Sequence, residues 1–98
     1  MMASRHYTFT LNSTTATQLT GITDTNNRRG ITIVLNTDKN NNNSVFIGGD
    51  STVTTSNYGW HGDSDDTLVL AGEFTTADDL WAIADAGSPK VHVLVIGG

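Results

Sequence analysis

The chain contains no cysteine and a single proline in 98 residues. Without cysteine there is no disulfide, no thiolate metal site and no thiol nucleophile, so strength must come from packing or from neighbouring subunits. Positive charge is scarce too: five Lys and Arg stand against ten Asp and Glu, a formal charge of −5, and Arg28-Arg29 is the one adjacent basic pair. Phosphate backbones are bound by clustered basic surface, so no nucleic-acid partner is expected. No apolar run approaches the roughly 20 residues that span a bilayer, and the N-terminus lacks the basic-then-apolar order of a signal peptide. The expectation is a soluble chain made in the cytoplasm, with no membrane partner.

Strongly apolar residues are few. Leu, Ile, Val and Phe number 23 of 98, a little above the roughly 20% below which chains tend to stay disordered. A domain of this length buries roughly 60–65% of its unfolded surface, enough for one thin core. Sixteen Thr, ten Gly and nine Asn accompany them. That balance suits exposed strand faces and tight turns and disfavours helices. The reading is a flexible N-terminal arm over residues 1–5 and a single all-β domain over residues 6–98.

The pattern supplies about seven strand candidates. In residues 5–11, Tyr7, Phe9 and Leu11 alternate with His6, Thr8 and Thr10, the period of a strand with one wet face. Residues 14–20 are more polar and read as an edge strand or an extended connection. Residues 24–30 read as a turn. The β-branched run 31–36 is expected to form a hairpin with residues 44–47 across the tip 37–43, where Asn40 to Asn43 tolerate turn conformations. Gly48-Gly49-Asp50 should close that strand, and residues 51–56 read as a short strand or arch with only Val53 to bury. Tyr58 to Gly62 reads as an aromatic loop and residues 63–66 as an acidic turn. Strands are expected again at 67–70 and 80–84, with one helical turn possible around Asp78 to Trp81 after a Thr cap.

Residues 90–96 are apolar on both faces: Val91, Val93 and Val95 point one way, Leu94 and Ile96 the other. A sandwich strand of that kind is covered on its outer side by the chain's own loops or by a neighbouring subunit. Both covers remain open at this point. Trp81, between Leu80 and Ile83, reads as core. Trp60 and Tyr58, beside glycine, read as exposed, with Trp60 an interface anchor or a sugar-stacking ring.

Chemistry is thinly marked. His6, His61 and His92 lie far apart and none has metal-ligand spacing with another. His61, Asp63, Asp65 and Asp66 are the one dense polar cluster, but they lack the frame of an EF-hand loop and read as a solvated turn. No nucleophile elbow or phosphate loop is present, and no carboxylate pair is marked as buried. No catalytic residue, cofactor or metal is therefore expected.

The order of segments carries a resemblance. SVFIGGDSTVTTSNYGW, an acidic turn with DTLVL, then LWAIADAGSPKVHVLVIG is similar to small virion proteins of tailed bacteriophages. The matching positions are Val45 to Gly49, Val53 to Thr55, Asn57 and Gly59, Leu80 to Ala84, and Val91, Val93 and Leu94; the chain departs where Tyr58 is inserted between Asn57 and Gly59. The resemblance covers about the last 55 residues and, more loosely, the first strand. It implies a compact antiparallel β-sandwich, jelly-roll-like, with seven to eight short strands and no catalytic residues. It also implies a capsid decoration, or cement, protein on the outer head surface, bound to the major capsid protein and self-associating, with a trimer favoured. Interface candidates on this reading are Tyr58, Trp60, Val91, Val93, Leu94, Val95 and Ile96. A tail or fibre module gripping a host glycan through the Asn tip, Tyr58 and Trp60 is the alternative, and a free carbohydrate-binding domain is a third.

Overall fold

Where apolar residues alternate with Thr, Ser or His, the backbone runs extended. The computed structural model describes residues 4–22, 30–72 and 80–97. These contain eight strands: β1 (Ser4–Thr10), β2 (Thr17–Gln18), β3 (Ile31–Thr37), β4 (Val45–Gly48), β5 (Trp60–Gly62), β6 (Thr67–Gly72), β7 (Trp81–Ala84) and β8 (Lys90–Ile96). They pair antiparallel into two four-stranded sheets, ordered β1-β8-β3-β6 and β2-β7-β4-β5. Two interleaved Greek keys of this order make a jelly roll, so the fold is the all-β sandwich that the sequence led us to expect.

The core lies between the sheets. In β3, Ile31, Ile33 and Leu35 face inward, and in β8 Val91, Val93 and Val95 do the same; the second sheet contributes Val45, Ile47, Ala82 and Ala84. Each fully buried Val, Leu or Ile stabilises by about 1.5–3 kcal/mol relative to exposure. Leu11, Leu19 and Ile22, which follow β1 and β2, close the core where the chain passes between sheets. Thr37 is the one polar side chain buried among the described residues. Its hydroxyl accepts from the Asp66 amide at 2.7 Å and donates to the Asp66 carbonyl at 3.4 Å, tying the acidic turn to the end of β3.

Four expectations need correction. The first strand begins at Ser4, whose register partner is Ile96, while Arg5 faces Val95; the ladder with β8 therefore holds two residues assigned to the arm, and residues 1–3 lie outside the described ones. Strands β3 and β4 are not a hairpin: they belong to different sheets, because β3 is central between β8 and β6 while β4 lies between β7 and β5. The Asn tip is an arch between sheets, and Asn41 anchors it by accepting from the Lys90 amide and donating to the Lys90 carbonyl, both at 2.9 Å. Tyr58 to Gly62 is not all loop, since Trp60–Gly62 forms the edge strand β5. Of the helical turn expected around Asp78 to Trp81, residues 78–79 lie outside the described residues and Trp81 is in strand β7 instead; the turn expected at 24–30 lies outside them except for Gly30.

Candidate interaction surfaces

Period two decides what each sheet shows to solvent. On the outer face of the first sheet, register aligns one row across all four strands: His6 opposite Leu94, Leu94 opposite Val34, and Val34 opposite Val69. Ile96 and Thr32 continue this face on one side. Leu94 is 41% exposed and Val69 57%, so aliphatic surface is open to water here.

The next row is polar and cross-linked. The Thr8 hydroxyl lies 3.1 Å from Nδ1 of His92, whose Nε2 is 2.7 Å from Oδ1 of Asp38, and Nδ2 of Asn36 donates to the Thr67 hydroxyl at 2.7 Å. A carboxylate only accepts, so Nε2 donates to Asp38 and Nδ1 is left to accept from Thr8 when the ring is neutral. The bond from His92, helped by the Asn40 amide, holds the Asp38 carboxyl below its ordinary value. A shallow hollow of about 200 Å³ lies between the two rows, lined by His6, Thr8, Val34, Asn36, His92 and Leu94 among others.

None of the eight strands contains an Asp or Glu. Asp38, Asp50, Asp63, Asp65, Asp66 and Asp85, the acidic residues among the described ones, all lie in connections. The strands of the first sheet therefore bring no carboxylate of their own to its outer face; Lys90, His6 and His92 are its ionisable groups, and the Asp38 carboxylate reaches its polar row from the connection after β3 to meet His92.

The second sheet is roofed. Residues 49–59 fold back over its outer face: Val53 buries itself against Phe46 and Ile83, with Ala16 and Trp81 packed around them. The arch is held by a bridge between Thr54 and Asn57 and by the Gly59 amide donating to the Ile47 carbonyl at 2.7 Å. A Cβ on Gly48 would stand 2.9 Å from two carbons of Val53, so glycine there lets the roof lie flat. At one end of the roof Phe46 stacks on His61 with ring centres 4.8 Å apart, and Tyr58 tilts against Phe46 at 5.0 Å while remaining 47% exposed.

The interface residues expected from sequence separate cleanly. Leu94 and Ile96 do face outward. Val91, Val93 and Val95 do not: they are exposed by 2% or less and fill the core, because alternation gives β8 one inner and one outer row. Trp60 is a second correction. Its register partner is Ile47, which faces inward, so Trp60 faces inward too and packs against the core. The ring lies over Gly62, where an added Cβ would overlap it. Trp81, expected in the core, sits instead under the roof on the outer side of β7. Tyr58 is exposed as expected. Sequence reasoning missed Val34 and Val69, which complete the aliphatic row only once the order of strands is known.

The acidic cluster serves the turn itself. Oδ2 of Asp66 accepts from the Asp63 amide at 2.7 Å, Oδ1 of Asp63 accepts from the Ser44 hydroxyl at 2.6 Å and lies 3.4 Å from Nε2 of His61, and Asp65 takes a left-handed φ of 56°. Among the described residues no group of three or more His, Asp or Glu is placed to hold a metal ion.

No family model matches the chain, and no curated protein is significantly similar to it. Among solved structures it is similar to a chain described under the words "Bacillus endospore appendages form a novel family of disulfide-linked pili", with a TM-score of 0.54 and 9% identity over 99% of this chain and 86% of that one. At that identity the likeness concerns the fold alone.

Proposed function

We propose that this protein is a structural subunit acting through protein–protein contacts: a bacteriophage capsid decoration protein that binds the outer surface of the head. The observation that carries the reading is the aliphatic row of Leu94, Val34 and Val69 on the outer face of the first sheet, with Leu94 and Val69 open to water among the described residues, next to a second sheet whose outer face is roofed by the arch 49–59. A contiguous aliphatic row on a sheet face is a common kind of interaction site. The order of segments shared with small virion proteins of tailed phages supports the same reading. Its partners are the major capsid protein and further copies of the chain, with a trimer as the arrangement the resemblance implies. The pilus protein of similar fold is described as disulfide-linked; this chain has no cysteine, so its assembly rests on non-covalent contact.

Size fits a shared, repeated contact. Four strands about 4.8 Å apart and seven residues rising about 3.3 Å each give a face of roughly 440 Å². A standard interface buries about 800 Å² per partner. One face alone is a weak contact, and a closed oligomer presenting several faces at once gains by avidity. The test is the copy number of the chain in purified virions, by quantitative mass spectrometry against the major capsid protein. A count set by the shell's symmetry sites supports decoration. Copies confined to the tail would favour the adhesion reading, and absence from particles would overturn both.

A further inference from the structure

We propose that the cleft within the roof of the second sheet is a binding site for a single ring of a neutral saccharide. The cleft, of about 220 Å³, is walled by the backbone of Gly48, Gly49 and Gly59, floored by Val53, and rimmed by Asp50, Thr52, Asn57 and Tyr58. It is smaller than the roughly 300–1,000 Å³ of pockets for drug-sized ligands, which leaves room for about one pyranose ring.

Three features select the ligand. First, Gly49 leaves its backbone open to close approach, since a Cβ there would meet nothing within 4 Å, while Gly48 is backed by Val53 and the Gly59 amide is spent on the Ile47 carbonyl. Second, the rim holds polar groups with capacity to spare. Oδ1 of Asp50 accepts from the amide of Thr52 at 2.9 Å and from its hydroxyl, which fixes the carboxylate and leaves Oδ2 without a partner among the described residues. Those two bonds keep the carboxyl ionised below its ordinary range, so Oδ2 is an acceptor suited to sugar hydroxyls. Asn57 spends its Nδ2 on the Thr52 carbonyl at 3.4 Å, which leaves its side-chain oxygen as a further acceptor.

Third, Tyr58 lines the cleft, packs in tilted contact with Phe46 and His61 and remains 47% exposed. An amphipathic ring of this kind offers an apolar face to the C–H groups of a sugar and a hydroxyl to its edge. The Asp50 carboxylate disfavours anionic ligands, so the occupant is neutral. This site is independent of the decoration reading. A shallow, open cleft binds with a Kd of about 1 mM, and repetition on a particle surface would raise the effective affinity by about 10²–10⁴.

The test uses the isolated ¹⁵N-labelled chain and amide chemical shifts. Methyl glycosides of glucose, galactose, mannose and N-acetylglucosamine are added to about 50 mM, well above a millimolar Kd, with choline chloride as a cationic comparison. The expected result is saturable shifts confined to residues 48–59 with at least one glycoside. Tyr58→Ala and Asp50→Asn should each weaken binding about tenfold or more, and Gly49→Leu, which adds bulk to a residue lining the cleft, should abolish it with the rest of the spectrum unchanged. No saturable shift with any glycoside, shifts elsewhere, a response to choline alone, or binding that survives Gly49→Leu overturns the proposal. Because the assay contains no particles, its failure leaves the copy-number result for the decoration reading untouched.

Discussion

Val93 and Leu94 are neighbours on β8 that face opposite sides of one sheet, so truncating each separates folding from contact. Val93 is 2% exposed and packed in the main core. Val93→Ala removes two buried methyl groups, worth about 0.8 kcal/mol per carbon in transfer, and leaves a small cavity, for a total of about 2–3 kcal/mol. In a domain of this length that lowers Tm by about 10–20 °C. Leu94 is 41% exposed over Val34 and His6, and Leu94→Ala should cost under about 1 kcal/mol and under about 5 °C. Thermal and urea unfolding of dilute protein, followed by circular dichroism, measure both. The order should invert for binding: at a temperature where both are folded, Leu94→Ala should lose occupancy on particles while Val93→Ala keeps it. If Leu94→Ala melts as low as Val93→Ala, the inner and outer rows of β8 have been misassigned and the interface argument falls with them.

Gly62→Ala sets a methyl group into the Trp60 ring; it should cost about 1–3 kcal/mol by overpacking and shift the tryptophan emission, as fluorescence-detected urea melts will show. Thr37→Val leaves the Asp66 amide without its hydroxyl acceptor and should cost about 1–2 kcal/mol, with faster hydrogen exchange across residues 63–66. The Asp38 carboxyl is held below its ordinary value, chiefly by His92 and then by the Asn40 amide. Its folded form is therefore favoured above the unfolded carboxylate value of about 3.9, and that contribution is lost as pH falls through the depressed value. Stability measured against pH should accordingly fall more gently at the acid end in Asp38→Asn than in the parent chain.

Strand existence was legible where alternation was local. Residues 90–96 were read with the boundaries of β8 and with both of its faces, because the period of two is written in VHVLVI itself. The partner of β4 was not legible. A run of Asn between two apolar segments is the signature of a hairpin, whereas here it spans between sheets and is tied down by Asn41 to a residue 49 positions away. The two tryptophans were misassigned for a related reason. Which side of a strand faces inward depends on its neighbours, and Trp60 is turned inward by pairing with Ile47. One local signal was present: a glycine two positions after a tryptophan sits on the same face of a strand and makes room for the ring. The aliphatic row was half legible, since Leu94 is marked by its own strand while Val34 and Val69 join it only through the order β8-β3-β6.

The two outer faces explain why so small a core can coexist with bare aliphatic surface. Among the described residues one arch roofs one sheet, and ordering each residue of such a cover costs about 1–2 kcal/mol of backbone entropy. The arch 49–59 covers the second sheet and, in doing so, adds Val53, Phe46, Ile83 and Trp81 as a second apolar cluster. Among the described residues nothing covers Leu94 and Val69 on the first sheet, whose strands bring no carboxylate of their own, so the aliphatic row can be met with only the His92-bound Asp38 near it. On the proposed reading burial there would come from association, and any partner that binds only the folded form would add to its stability. A face left apolar for folding alone would have been the cheapest place to put Thr, of which the chain has sixteen; the presence of Leu94, Val34 and Val69 in one register row, instead of three more threonines, is what a docking surface requires and a solvated sheet does not.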